Sequence, residues 1–258
     1  MKKTPYDERY VLSSVNHSLK VLEIMMVRES IDINELSRLT GYNKSSIFKM
    51  LYSLQYRGFV EKSAYGTYRL GAKLKNFSQT VELRQKLVDL SSDTISSLFY
   101  KTGENITLAQ IDGEKIVFLV VKMAKEQGNI KGRIGTTLDV YTNSAGKILL
   151  SRMNKKRRNA IINELDFKKI CVNTVTDKET FKKQINDLSR EKYAICYQEA
   201  VFDGADISAP LYDQNGSCIA CINLVFNIEK NRNRIQYLID VLLEESDKLN
   251  SKLAQISL

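Results

Sequence analysis

Histidine and proline are almost missing, and cysteine is confined to the second half. The 258 residues hold one histidine, two prolines and four cysteines. A lone imidazole, His17, offers no second ligand for a zinc site and lies far from any cysteine that could act as a nucleophile. So few prolines, with only twelve glycines, exclude collagenous and low-complexity tracts. No uncharged run reaches the roughly 20 residues that span a bilayer; the longest ends at Ile228. The opening MKKTPYDERY lacks the apolar core of a signal peptide. A cytoplasmic protein with free thiols and no membrane partner is therefore expected. Cys218 and Cys221 form a CxxC, but SCIACINLVF reads as a buried strand. Residues three apart on a regular strand point to opposite faces, so neither a metal site nor a redox pair is expected. No cofactor is assigned.

What the chain does have is positive charge, unevenly placed. The net charge is +9. Residues 1–80 carry 13 Lys/Arg against 7 Asp/Glu, a surplus of six, and the remaining 26 against 23 leave a surplus of three. A basic N-terminal module suits a polyanionic partner, because Lys and Arg release counterions from phosphate backbones. It also suits a merely soluble surface, and charge alone does not separate the two.

Residues 31–71 are the most informative. Ser14 reads as the cap of a first helix, with Val15, Leu19, Leu22 and Met26 on its inner face. Asn34 reads as the cap of a second, with Leu36 and Leu39 turned inward. Asn43 caps a third, in which Ile47, Leu51 and Leu54 share one face. Short strands over 59–62 and 67–70, around a turn at Gly66, complete a winged helix-turn-helix. A helix enters the major groove of duplex DNA when its outer face is polar and its inner face is held by a core. The third helix meets that condition with Lys44, Ser45, Ser46, Phe48, Lys49 and Tyr52; Arg57 and the wing residues Lys62 and Tyr65 can reach the backbone or minor groove. Winged helices also bind proteins, and a protein-interaction module or antirepressor is the rival reading.

A helix is predicted over 73–102, with Leu83, Leu87, Leu90 and Leu98 on one face. Beyond Gly103 strands alternate with segregated helices: strands near 106–111, 116–123, 194–199, 207–212 and 218–226, a loop over 124–132, a helix from Ser144, two charged helices, and an amphipathic helix at the end. This is the texture of an α+β sensor-type domain. The boundaries predicted are 1–76 for the DNA-binding domain, with a helical connector over 72–82, and 77–258 for the second domain. No catalytic residue is assigned. Ser144-Ala145-Gly146-Lys147 lacks the leading glycine and the following Ser/Thr of a phosphate-binding loop, and Asp203 with Asp206 reads as a solvated turn.

The segments ELSRLTGYNKSSIFKMLYSLQYRGFV, YRLG, TGENITLAQIDGEKIVFL, SAGKILL, NTVTD and REKYAICYQEAVFDGADISAPLYDQNGSCIACINL occur in an order and spacing that resemble the IclR family of bacterial regulators, over roughly residues 14–250. The resemblance implies a winged helix-turn-helix joined by a helix to a GAF-like (profilin-like) α/β domain. It also implies homodimers or homotetramers, and a repressor or activator of catabolic genes that binds double-stranded operator DNA and a small, often carboxylated effector. The pocket positions it implies are Ser144, Ala145, Cys196, Gly204, Asp206 and Asn223. The chain departs from the family pattern here: an acid is common at the position of Cys196, a small residue at Asp206 and a serine at Asn223. Independently, a helix N-terminus at Ser144 suits a carboxylate, though an Asn-Ser pair is also an ordinary cap. Asp206 and Asn223 are expected to take effector hydroxyls, favouring a polyhydroxylated or sugar-acid ligand.

Overall fold

A computed structural model describes residues 7–124 and 132–255; most of the loop expected over 124–132 lies outside the described residues. The chain divides into two compact units, residues 1–82 and 83–258.

The smaller unit holds α1 (Ser13–Met26), α2 (Ile33–Thr40), α3 (Lys44–Tyr56), the hairpin β1 (Val60–Lys62) and β2 (Tyr68–Leu70), and the start of α4 (Ala72–Thr102). Its core is Val21, Met25, Ile31, Leu36, Ile47, Leu51, Val60 and Tyr68. Ile31 bridges Tyr68 and so ties the stretch before α2 to the wing. Two helix starts differ from expectation. Ser14 lies inside α1, whose cap position is Leu12 without a side-chain bond. Asp32, not Asn34, caps α2, accepting from the Asn34 and Glu35 amides. An acid also complements the helix dipole there. The inner face of α1 differs too. Val21 and Met25 are buried, whereas Val15, Leu19 and Met26 are exposed. Of the expected inner face Leu22 packs against the core, partly buried; the helix carries a second apolar stripe, and the core takes chiefly that one. Leu39 likewise faces outward.

The larger unit is built on an antiparallel six-stranded sheet in the order β5-β4-β3-β8-β7-β6. The strands are β3 (Asn105–Asp112), β4 (Lys115–Lys122), β5 (Thr137–Asp139), β6 (Ala194–Tyr197), β7 (Gly204–Tyr212) and β8 (Cys218–Asn227). The helices are the rest of α4, α5 (Ser144–Ser151), α6 (Lys155–Glu164), α7 (Lys178–Asp187), the single turn α8 (Ile228–Asn231) and α9 (Ile235–Leu253). Alternation along the strands divides the core. Ile106, Leu108, Ile207, Ile222 and Leu224 pack with α4 and α9; Ala109, Ile116, Phe118 and Cys221 pack with α5, α6 and α7. The architecture is α+β.

A register shift where β7 meets β8 at Tyr212 corrects one expectation. Ile219 and Ala220, although consecutive, both pack toward α9, and Cys218 and Cys221 both pack toward α5. A bulge adds one residue and so reverses the parity on which the opposite-face argument depended. Burial nevertheless keeps both thiols protonated: Cys221 is raised well above the ordinary value and Cys218 is pushed to about 11.

Helix α5 is buried along its whole length. It seats so closely that a Cβ at Gly146 would overlap the Val140 carbonyl. Gly146→Ala is therefore expected to cost about 1–3 kcal/mol by overpacking, seen as a lower urea midpoint at unchanged slope.

Candidate nucleic-acid interface and effector cavity

The outer side of α3 is prepared by its cap. Asn43 Oδ1 accepts from the Ser46 amide and the Ser45 hydroxyl, each at 2.8 Å. Ile47 and Leu51 lock the inner side. Lys44, Ser45, Phe48, Lys49 and Tyr52 are exposed, and Ser46 is half-buried. The Phe48 and Tyr52 rings lie 6.2 Å apart, forming an apolar shelf beside the two lysines. Arg57 is exposed at the C-cap. In the wing, Lys62 lies 5.4 Å over the Tyr68 ring, and Tyr65 at the tip is 95% exposed. Glu61 is occupied by Arg69 and by the Ala72 amide. The Arg69 bond, then that amide, hold the Glu61 carboxyl below its ordinary value. Asn43→Ala is expected to destabilise the smaller unit by about 1 kcal/mol, read as a lower midpoint in thermal melts.

In the larger unit, a cavity of about 130 Å3 opens between the sheet and the N-terminal end of α5. That resembles an engineered cavity of about 150 Å3 that holds benzene. Four of the six expected residues line it: Ala145, Gly204, Asp206 and Asn223. Ser144 and Cys196 are buried behind its wall. Cys196 sits on β6 in register with Asp206. Burial, then the Asp206 charge, push its thiol well above the ordinary value, which withholds the thiolate needed for nucleophilic chemistry.

Asp206 lines the cavity and departs from the solvated-turn reading. It lies on β7 and not in a turn, because β7 begins at Gly204. It also fills the helix N-terminus that was expected to await a ligand carboxylate. Its Oδ2 accepts from the Ser144 amide at 2.6 Å and from the Ser144 hydroxyl, and that hydroxyl also meets Ser208 Oγ at 2.5 Å. Burial raises the Asp206 carboxyl to about 6 against the opposing pull of the Ser144 bonds. A carboxyl raised by folding contributes stability that is present below the unfolded value and lost as pH rises through the folded one. Asp206→Asn is thus expected to flatten the fall in stability between about pH 4 and 6, measured as the difference between wild-type and variant melts.

Asn223 Nδ2 donates to Thr107 Oγ1 at 2.7 Å. Its Oδ1 is buried without a hydrogen-bond partner. Glu199, Asn105, Thr107, Asn143 and Phe118 also line the cavity and were not anticipated as ligand-facing. Glu199 receives the Lys147 ammonium at 2.6 and 2.7 Å. The loop that carries Glu199 has positive φ at Gln198 (53°) and Asp203 (55°), a conformation that costs energy in non-glycine residues and often marks functional sites. Glu199 lies between Gln198 and Ala200, and the sequence carried no local signal for its place in the cavity.

Comparison with known proteins covers both units. The family model described as bacterial transcriptional regulator IclR C-terminal matches residues 79–251, and that for the IclR helix-turn-helix domain matches residues 14–64. HTH-type transcriptional regulator KipR of Bacillus subtilis is 24% identical, over 93% of this chain and 96% of its own length. HTH-type transcriptional regulator XynR of Escherichia coli is 23% identical, over 83% and 86%. Among solved structures, the Thermotoga maritima IclR superposes with a TM-score of 0.63 at 22% identity, covering 93% of this chain and 98% of that one. An IclR homologue from Microbacterium hydrocarbonoxydans, complexed with 4-hydroxybenzoate, superposes at 0.65 with 19% identity, covering 95% and 100%.

Proposed function

Since the chain belongs to the IclR family of bacterial transcriptional regulators, we propose that it represses a catabolic operon by holding operator DNA with α3 and the wing, and that a small molecule in the cavity of the larger unit alters that hold. The observation that carries the DNA half is the outer side of α3: Lys44 and Lys49 exposed beside a capped N-terminus, with the inner side fixed. Lys44, Ser45, Ser46, Phe48, Lys49 and Tyr52 are the proposed groove-facing set, with Arg57 and Lys62 on the phosphates. The effector half rests on the mainly apolar cavity, with Ala145, Gly204, Asp206 and Asn223 in its lining. Relatives are named for regulation of catabolic steps, among them the Pca operon regulatory protein and the p-hydroxybenzoate hydroxylase transcriptional activator of Acinetobacter baylyi. Their names describe regulators, and the reading assigns this chain no reaction. Among the described residues no helix is long and apolar enough to cross a membrane.

Self-association belongs to the same reading. Leu12, Val15, Leu19 and Met26 expose an apolar stripe along α1, and burying such a stripe against a second copy would be favourable. Two copies would present two recognition helices to half-sites one helical turn apart, roughly 34–36 Å. The test is fluorescence anisotropy with the duplex upstream of the protein's own gene, over a range of salt. Sequence-selective binding that weakens linearly in log salt is the expected result. Salt-independent binding, or none to any genomic duplex, would favour a protein-interaction module.

A further inference from the structure

Taking the cavity as the effector site, as the proposed function does, we propose that Asp206 is a built-in occupant of its anion seat, so that the cavity receives a neutral, hydroxyl-bearing end of its ligand and turns small carboxylates away. Two independent observations lead there. First, the N-terminus of α5 is the feature of this cavity best suited to a ligand anion, and its leading amide, that of Ser144, is already bonded at 2.6 Å to Asp206 Oδ2. The Ser144 hydroxyl completes the seat, donating to the same oxygen and meeting Ser208 on its other side. Second, Asn223 Oδ1 is a buried acceptor without a partner on a residue only 2% exposed. An unmet buried acceptor is costly and calls for a donor. Its amide nitrogen is committed to Thr107, so the orphan acceptor cannot be satisfied from that side.

The charge balance agrees. Asp206 and Glu199 both line the cavity. The Lys147 ammonium is spent on Glu199, and no described lining residue is Lys, Arg or His. A ligand carboxylate at this end would meet a second carboxylate, and no described lining residue supplies a cation to share. A hydroxyl donates to Asn223 Oδ1 or to Asp206 and meets no such penalty. The ligand class that follows is a small polyol or sugar-like molecule whose hydroxyls face β7 and β8. Any acidic group it carries lies away from α5.

A matched pair of probes tests this whatever the natural effector is. Lactate and 1,2-propanediol share a carbon skeleton and differ by carboxylate against hydroxymethyl. Isothermal titration of full-length wild-type protein should show the diol preferred over lactate. Asp206→Ala, which vacates the seat, should bind lactate about tenfold more tightly or better than wild type, because like-charge juxtaposition costs several kcal/mol. Asp206→Asn keeps the side-chain shape and removes the charge, so it should shift the preference the same way by a smaller factor; it serves if the alanine variant does not fold. Wild-type preference for lactate, or no gain in lactate binding in either variant, would overturn the proposal. DNA anisotropy on the same samples keeps the two readings apart: a protein that binds its duplex but shows no gain loses only this inference, whereas one that binds no duplex loses the regulator reading whatever the probes do.

Discussion

Replacing Glu199 with alanine should destabilise the larger unit by about 3–5 kcal/mol, the usual loss when one partner of a buried ion pair is removed. Lys147 lies near the middle of α5, and its side chain is 5% exposed; that of Glu199 is 10% exposed. Both carboxylate oxygens receive the ammonium. Truncating the acid leaves an unpaired cation in the interior of the domain. The magnitude follows from that stranded charge and not from the strength of the pair. Lys147→Met combined with Glu199→Leu should therefore recover most of the loss, since removing both charges is often close to neutral. Urea midpoints of Lys147→Met, Glu199→Leu and the double form the cycle. A double variant as unstable as Glu199→Ala would show that packing in the 198–203 loop, and not the unpaired ammonium, sets the cost.

This pair also shows where sequence reading stops. Lys147 and Glu199 are 52 positions apart. Nothing in the texture of either segment says that SAGK and YQEA come into direct contact. The same holds for Ser144 and Asp206, 62 positions apart. That contact turned an expected ligand site into one the chain fills itself. Local chemistry was more readable. Asn43, with aliphatic residues following at helical spacing, identified α3 and its two sides, because cap and periodicity act within one turn. Local reading failed where two answers were equally local. Helix α1 offers two apolar stripes, and only the tertiary core selects Val21 and Met25. Asp32 and Asn34 are both good caps, and the chain starts its helix at the earlier one. Gly204-Ala205-Asp206 reads as a turn by composition and is a strand because β6 and β8 flank it. A single extra residue in β8 moved Cys218 to the side of Cys221. Order and spacing of the segments supplied the fold class, whereas contacts between distant segments set the polarity of the cavity.

Charge reversal on α3, the proposed recognition helix, carries the other large expected effect. Lys44 and Lys49 are both exposed and lie five positions apart on α3, on either side of the Phe48–Tyr52 shelf. Replacing both with glutamate turns two attractions for phosphate or guanine into two repulsions, while Ile47 and Leu51 keep the helix folded. Operator affinity is expected to fall by about 100-fold or more at physiological salt, and the salt slope to shrink by about two. The aliphatic core is untouched, so the thermal midpoint should move little; surface changes usually lie within about 0.5 kcal/mol. Unchanged stability alongside lost binding separates a recognition defect from an unfolded head.

The decisive measurement is therefore the anisotropy titration of the Lys44→Glu/Lys49→Glu protein against the wild-type operator duplex across a salt series, with a melt of the same sample. A folded protein with a shallower salt dependence and a collapse in affinity is the predicted result. A folded protein that grips the duplex as tightly as wild type, with the same slope, would contradict the assignment of α3 as the element that reads DNA.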